Sequence, residues 1–313
     1  MNDQQGWPRI AVVGAGAVGG YFGGMLADAG APVVMIGRQA FVDGVNRNGL
    51  FLDTLHFQKH VRVEASTELR AIKGASLVLF CVKTVDNAAT SRALAPHLAS
   101  NAVVLSFQNG VDNVEQIRAA SEIEALPVVV YVAASVPKPA CIKHAGRGDL
   151  VIGPENEKTK RIAAVFERAK VPCRITHNIE GELWVKFIAN CALNAVSALG
   201  QARYRQIAAS PDARKLVEEV VTEVLAVARA ANVVLPGVDD SQAALAGAMK
   251  IATQMAGQLS STGQDINRGK KTEIDSLNGY IARRGAELGI ATPVNHALYT
   301  LLKLLEAREI SHG

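Results

Sequence analysis

The chain has 313 residues, 49% of them hydrophobic and 20% charged, with a net charge of +4. That length suggests two domains, and the balance excludes a disordered or low-complexity chain. A mild positive surplus without a basic run, beside only 5% aromatic residues, suits anionic small molecules and argues against a nucleic-acid surface built on charge and stacking.

The N-terminus lacks a basic leader, and its first apolar run leads straight into a glycine loop. It reads as a buried strand, not a secretory signal. No segment reads as the roughly 20 apolar residues needed to span a bilayer, so no membrane association is expected. Short Val/Ile/Leu-rich runs at Ile10–Val13, Pro32–Ile36, Leu77–Val82, Val103–Phe107 and Pro127–Val132 predict strands buried on both faces of a parallel sheet. Helices are predicted between them at Ala17–Ala29, Asn87–Leu98 and Asn113–Ala120. The alternation predicts an α/β, doubly wound sheet. Two hairpins are also expected. One pairs Gly49–Leu52 with His60–Val63; the other pairs Cys141–Lys143 with Leu150–Ile152 about a Gly146–Gly148 turn.

After Arg174 the strand signal disappears. Helices are predicted at Glu180–Leu199, Asp212–Asn232, Ser241–Leu259, Thr272–Leu288 and Pro293–Arg308. Pro211 and Pro293 follow Ser210 and Thr292, which is good first-turn chemistry. The expected division is residues 1–175 and an all-α domain over 176–313. Cys81, Cys141, Cys173 and Cys191 have no metal-like spacing. They read as reduced thiols of a cytoplasmic protein, and no metal is expected.

Gly14-Ala15-Gly16-Ala17-Val18-Gly19 is a G-x-G-x-x-G between a predicted strand and a predicted helix. In that context it suits a dinucleotide: a tight turn at Gly14, room for a pyrophosphate at Gly16, and close helix–sheet packing at Gly19. The alternative is a plain strand–turn–helix. An enzyme using NAD has an acid about 20 residues further on. Here the second strand runs into Gly37-Arg38 with no acid. A guanidinium suits a 2′-phosphate, so NADPH is the expected cofactor, the alternative being a solvated loop cation. Lys83 and Asn109-Gly110 follow two further strands, and the small Ala133-Ala134 pair follows the next. Ligands of open α/β sheets lie at such strand ends; a surface charge and a simple turn are the plainer readings.

The segment 183–196 is apolar nearly all round except for Lys186, Asn190 and Asn194, spaced by four and therefore on one helix face. Burying them unpartnered would cost several kcal/mol. Spacing alone leaves two solutions: a wet cleft holding a polar ligand, or a structural network. Hydride attack on a ketone favours the cleft, because it needs a proton donor, and a partly desolvated lysine suits that task. The polar stretch 260–275 contains Ser261, a potential carboxylate ligand, and Glu273 and Asp275, which equally suit the start of a helix.

These residues resemble the ketopantoate reductase (2-dehydropantoate 2-reductase) family nearly end to end. The resemblance rests on Gly14–Gly19, Arg38, Lys83, Asn109-Gly110, the block Glu182-Leu183-Trp184-x-Lys186-x3-Asn190-x3-Asn194, and the block Ser261-x2-Gln264-Asp265 continuing to Thr272-Glu273-Ile274-Asp275-x2-Asn278-Gly279. It implies a Rossmann-type domain followed by a helical domain similar to that of 6-phosphogluconate dehydrogenase. It implies NADPH-dependent reduction of 2-dehydropantoate to pantoate, a step toward pantothenate and coenzyme A, in an interdomain cleft. Lys186 would be the proton donor and Glu273 its partner at the nicotinamide end. Gly14, Ala15, Gly16, Ala17, Val18, Gly19, Arg38, Lys83, Asn109, Ala134 and Glu273 would meet the cofactor. Asn109, Lys186, Asn190, Asn194 and Ser261 would meet the small 2-keto acid. Gln258, Thr262, Gly263 and the Asn-free stretch 200–205 depart from the family pattern. They leave room for a related reductase of another 2-keto acid; the alternatives are a related β-hydroxyacid or polyol-phosphate dehydrogenase of the same plan, or a non-catalytic NADPH sensor. A homodimer is compatible with the Ala- and Leu-rich last helix.

Overall fold

A computed structural model of the chain describes residues 6–310, with side chains described through Ala307. The outermost residues of both expected domains, 1–5 and 311–313, lie outside the described residues. The chain divides into two compact units, Met1–Ile179 and Glu180–Gly313.

The first unit is built on a ten-stranded sheet. Strands β1 (Ile10–Val13), β2 (Val33–Ile36), β5 (Glu64–Ser66), β6 (Leu77–Phe80), β7 (Val103–Ser106) and the start of β8 (Ala125–Lys138) lie parallel in the order β5-β2-β1-β6-β7-β8. This is the doubly wound Rossmann order, which places a crevice at the carboxyl ends of β1 and β6. Every residue of β1, β2 and β6 is buried, as unbroken apolar runs require in a sheet covered on both faces. Helices α1 (Ala17–Asp28), α3 (Asn87–Leu94) and α4 (Asn113–Ser121) supply the cover that the sequence predicts. Helix α2 (Gln39–Asn48) follows β2.

Beyond β7 the sheet becomes mixed. The expected hairpin of β3 (Leu50–Asp53) and β4 (Gln58–Val61) forms with antiparallel register, and β3 joins β9 (Cys141–Ile152) in parallel. The second expected hairpin does not form. Cys141–Ile152 is one continuous strand that pairs antiparallel with β8, and the chain reverses at Pro139-Ala140. Gly146–Gly148 is a bulge in that strand. Arg147 at φ +58° and Gly148 at φ +124° shift the register while pairing resumes on both sides. Helix α5 (Glu157–Arg168) starts with a capping box between Asn156 and Thr159, and β10 (Cys173–Ile175) pairs with β9.

The second unit is helical: α6 (Ile179–Gly200), α7 (Tyr204–Ala209), α8 (Pro211–Ala230), α9 (Ser241–Gln254), α10 (Ser261–Ile266), α11 (Asn278–Leu288) and α12 (Pro293–Ile310). Ser210 caps α8, accepting from the Ala213 N–H at 3.2 Å. The expected Ser241–Leu259 helix stops at Gln254. Residues beyond it turn their carbonyls to α7, where Tyr204 N–H reaches Gln258 O and Arg205 N–H reaches Ala256 O, both at 3.0 Å. The expected Thr272–Leu288 helix begins only at Asn278: the Thr272 and Ile274 N–H groups bond to side chains, and Ile274–Ser276 closes only a single tight turn. With 22 residues, α6 is long and apolar enough to cross a membrane, contrary to the sequence expectation, but it is mostly buried as the core helix of its unit. None of the four cysteines is in a disulfide.

Candidate functional site

In the first unit the site begins where β1 ends. The N–H groups of Gly14 and Ala15 both donate to Ile36 O, at 3.1 and 3.0 Å, tying the glycine turn to the end of β2. Gly14 sits at φ +102°, and a Cβ there would lie 2.7 Å from Val82 N. A Cβ at Gly19 would lie 2.9 Å from Val12 Cγ1 and collide with Gly14 O. Both glycines are therefore required by packing. Gly16 is different: nothing lies within 4 Å of an added Cβ, and its φ is −82°. The protein itself leaves this position open. Gly16 also caps α1 without any side chain on the first N–H groups, and the first turn holds no acid. An uncapped helix N-terminus beside an open glycine can receive a pyrophosphate.

Arg38 stands two residues past Ile36, as the exposed N-cap of α2. Lys83, half-buried, opens the turn after β6, and Asn109 lies three residues past β7. Sequence reasoning missed what holds these two loops. Thr84 Oγ1 and Asn87 Nδ2 both donate to Asn113 Oδ1, at 2.9 and 3.0 Å. Asn113 Nδ2 donates to Asn109 O at 2.7 Å. Gln108 Nε2 donates to Val82 O at 2.9 Å and to Asn87 Oδ1, while its own Oε1 accepts from Ser106 at 2.9 Å. All of these side chains are buried. Such a satisfied network fixes the loops that carry Lys83 and Asn109. The available signal was the amide at the first position of both α3 and α4. Ala133-Ala134, expected just past a strand end, instead lies within β8, which continues to Lys138; Ala134 is half-buried there opposite His144.

In the second unit, Lys186, Asn190 and Asn194 line one face of α6, and burial deepens along the stripe. Lys186 and Asn190 are half-buried, whereas Asn194 is 4% exposed and accepts from Tyr204 Oη at 3.2 Å. Trp184, Phe187 and Tyr280 pack edge to face beside this segment, with centroids 5.4 to 6.1 Å apart. The buried serine is Ser260. Its Oγ donates to Asn194 O at 3.1 Å and accepts from Gly263 N–H at 3.0 Å. Ser261 follows it as an exposed hydroxyl. Glu273 is half-buried just before the single turn Ile274–Ser276. Burial pushes the Tyr204 phenol well above its ordinary value, so it stays a hydrogen-bond donor at neutral pH. Burial also raises the Cys81 and Cys191 thiols, so neither is set up as a nucleophile. Among the described residues, no group of three or more His, Cys, Asp or Glu is placed to hold a metal ion.

A doubly wound sheet with this glycine turn, joined in one chain to a helical unit carrying a lysine–amide stripe, defines a dinucleotide-dependent oxidoreductase. Two family models match the chain: ketopantoate reductase PanE/ApbA over residues 10–157 and its C-terminal domain over residues 178–306. The chain belongs to the ketopantoate reductase family. A 2-dehydropantoate 2-reductase of Pyrobaculum aerophilum is 34% identical over 95% of this chain and 98% of its own length. A PanE/ApbA family ketopantoate reductase structure from Ralstonia eutropha JMP134 is 45% identical, covers 96% of this chain and 99% of its own, and superposes with a TM-score of 0.90. The fold also extends to D-mandelate dehydrogenase, solved with NADH and anilino(oxo)acetate, at 22% identity, coverage of 96% and 99%, and a TM-score of 0.88.

Proposed function

We propose that the protein reduces 2-dehydropantoate to pantoate with NADPH, a step toward pantothenate and coenzyme A. The observation that carries this reading is Lys186: a half-buried lysine in line with two amides within the otherwise apolar stretch 183–196 of α6. NADPH supplies the hydride when bound. Gly14–Gly19, with the α1 N-terminus, receives its pyrophosphate, with Ala15, Ala17 and Val18 contributing backbone. Arg38 meets the 2′-phosphate, Lys83 assists on the phosphates, and Ala134 leaves room for the cofactor. Asn109 and Glu273 act at the nicotinamide end.

The second unit handles the keto acid. Asn190 and Asn194 orient it through uncharged hydrogen bonds, and Ser261 donates to its carboxylate. As the carbonyl carbon gains the hydride, its oxygen becomes an alkoxide. Lys186 donates a proton to that oxygen, and the product is the 2-hydroxy acid. A non-catalytic sensor would have no use for a proton donor in this position.

A second reading, reduction of another 2-keto acid, draws on the departures at Gln258, Thr262 and Gly263. Thr262 and Gly263 are buried beneath Ser261, and Gly263 packs against Leu259. These changes bear on Ser261 and, through Ser260 and Tyr204, on the Asn194 end of the stripe. The deciding experiment is NADPH oxidation with 2-dehydropantoate against a panel of 2-keto acids. The first reading expects the highest kcat/KM on 2-dehydropantoate. A clear preference for another keto acid replaces it with the second, and tight NADPH binding without turnover on any of them supports the sensor.

A further inference from the structure

Glu273 precedes a single short turn rather than lying within a helix; its carbonyl accepts the Ser276 N–H at 3.0 Å. From the end of α10 at Ile266 to the start of α11 at Asn278, regular structure is limited to the single turn Ile274–Ser276. A carboxylate that acts in a reaction must still be held within a fraction of an ångström. The constraint comes from α12. Glu306 Oε1 accepts both the backbone N–H and the hydroxyl of Thr272, at 2.7 and 2.6 Å. The same Thr272 oxygen accepts the Ile274 N–H at 3.2 Å. The residues before and after Glu273 are thus tied to one carboxylate, the first directly and the second through the threonine.

The anchor is itself supported. Glu306 is 9% exposed and pairs with Lys303 at 3.1 Å. Lys303 also reaches Asp275 Oδ2 at 2.9 Å, and Tyr299 donates to Asp275 Oδ1 at 2.9 Å. Arg283 holds the Asp275 carbonyl at 2.9 Å. Partial burial opposes ionisation of Asp275, but the Lys303 and Tyr299 hydrogen bonds and the Lys303 and Arg283 charges outweigh it and keep its carboxyl below the ordinary range. A largely buried carboxylate, a lysine and a phenol of α12 thus converge on one loop.

We propose that Glu306, supported by Lys303, is a positioning residue that fixes Glu273 for the reaction. This rests on the reductase reading above. The experiment measures steady-state NADPH oxidation with 2-dehydropantoate, normalised to NADPH-binding sites, for Glu306→Ala, Glu306→Gln, Thr272→Val and Glu273→Gln, and for the Glu273→Gln/Glu306→Ala double variant. Glu306→Ala is expected to lower kcat about tenfold with little change in the KM for the keto acid. Glu306→Gln, which keeps an acceptor for Thr272, recovers most of the loss, and Thr272→Val reproduces part of it. The double variant turns over no more slowly than Glu273→Gln alone, because the anchor acts only through Glu273. The proposal is overturned if Glu306→Ala and Thr272→Val keep wild-type kcat, or if the double variant shows the product of both losses. If Glu306→Ala does not fold, Thr272→Val decides alone, and wild-type kcat in that variant overturns the proposal. Absence of turnover by the wild-type protein would instead remove the reductase reading, and this proposal with it.

Discussion

Tyr204 donates its buried phenol to Asn194 Oδ1 at 3.2 Å. The contact takes up the acceptor end of the amide and leaves its N–H2 end to donate. A substrate-binding amide with a fixed donor can discriminate a carbonyl or carboxylate oxygen from a hydrogen-bond donor in the same place. Tyr204→Phe is expected to raise the KM for the keto acid about fivefold, in proportion to one lost orienting hydrogen bond of about 1 kcal/mol. KM for NADPH should not move. Steady-state kinetics with each substrate varied in turn checks this, and equal changes in both KM values would point to general loosening of the unit.

The glycine turn separates packing from binding. Gly14→Ala forces a side chain into left-handed backbone and against Val82, and is expected to cost about 1–3 kcal/mol of stability. Gly16→Ser should leave stability intact, since serine is a good N-cap and the space is open. Its side chain would nonetheless occupy the place proposed for the pyrophosphate, so NADPH affinity should fall at least about tenfold. Thermal melts and NADPH titrations of the two variants should therefore rank them in opposite orders.

Arg38→Ala tests the cofactor preference. Arg38 is exposed, two residues past Ile36, whose carbonyl anchors the glycine turn. Loss of a charge-assisted contact to a 2′-phosphate of about 1.5–3 kcal/mol should raise the KM for NADPH by roughly 10- to 100-fold. The KM for NADH should change little. A matched rise for both cofactors would deny Arg38 that contact.

Much of the first unit was legible because its strands are buried on both faces. Ile10–Val13 and Leu77–Phe80 are unbroken apolar runs, and the pattern alone locates them. The Cys141–Ile152 strand was misread because glycine signals both turns and bulges; only its pairing partner, β8, shows that Arg147 and Gly148 bend a strand instead of reversing it. Helix α5 opens on a start signal readable in the sequence, Asn156 with Thr159. In the second unit, the break before Asn278 was invisible locally. The Thr272 N–H and hydroxyl go to Glu306, 34 positions away, and no window of sequence contains both. The Asn87–Gln108–Asn113 network was hidden for the same reason: its members come from elements far apart in sequence, the starts of α3 and α4 and the turn after β7. The Lys186 stripe was legible because helix periodicity places residues four apart on one face. Its depth was not, because the burial of Asn194 is set by Tyr204 on another helix.

The central claim is that Lys186 gives the proton to the carbonyl oxygen. The most direct measurement is turnover of Lys186→Ala with NADPH and 2-dehydropantoate, alongside its NADPH dissociation constant. A loss in kcat of about 100-fold or more with unchanged NADPH binding is the expected result. Wild-type kcat in that variant would contradict the assignment.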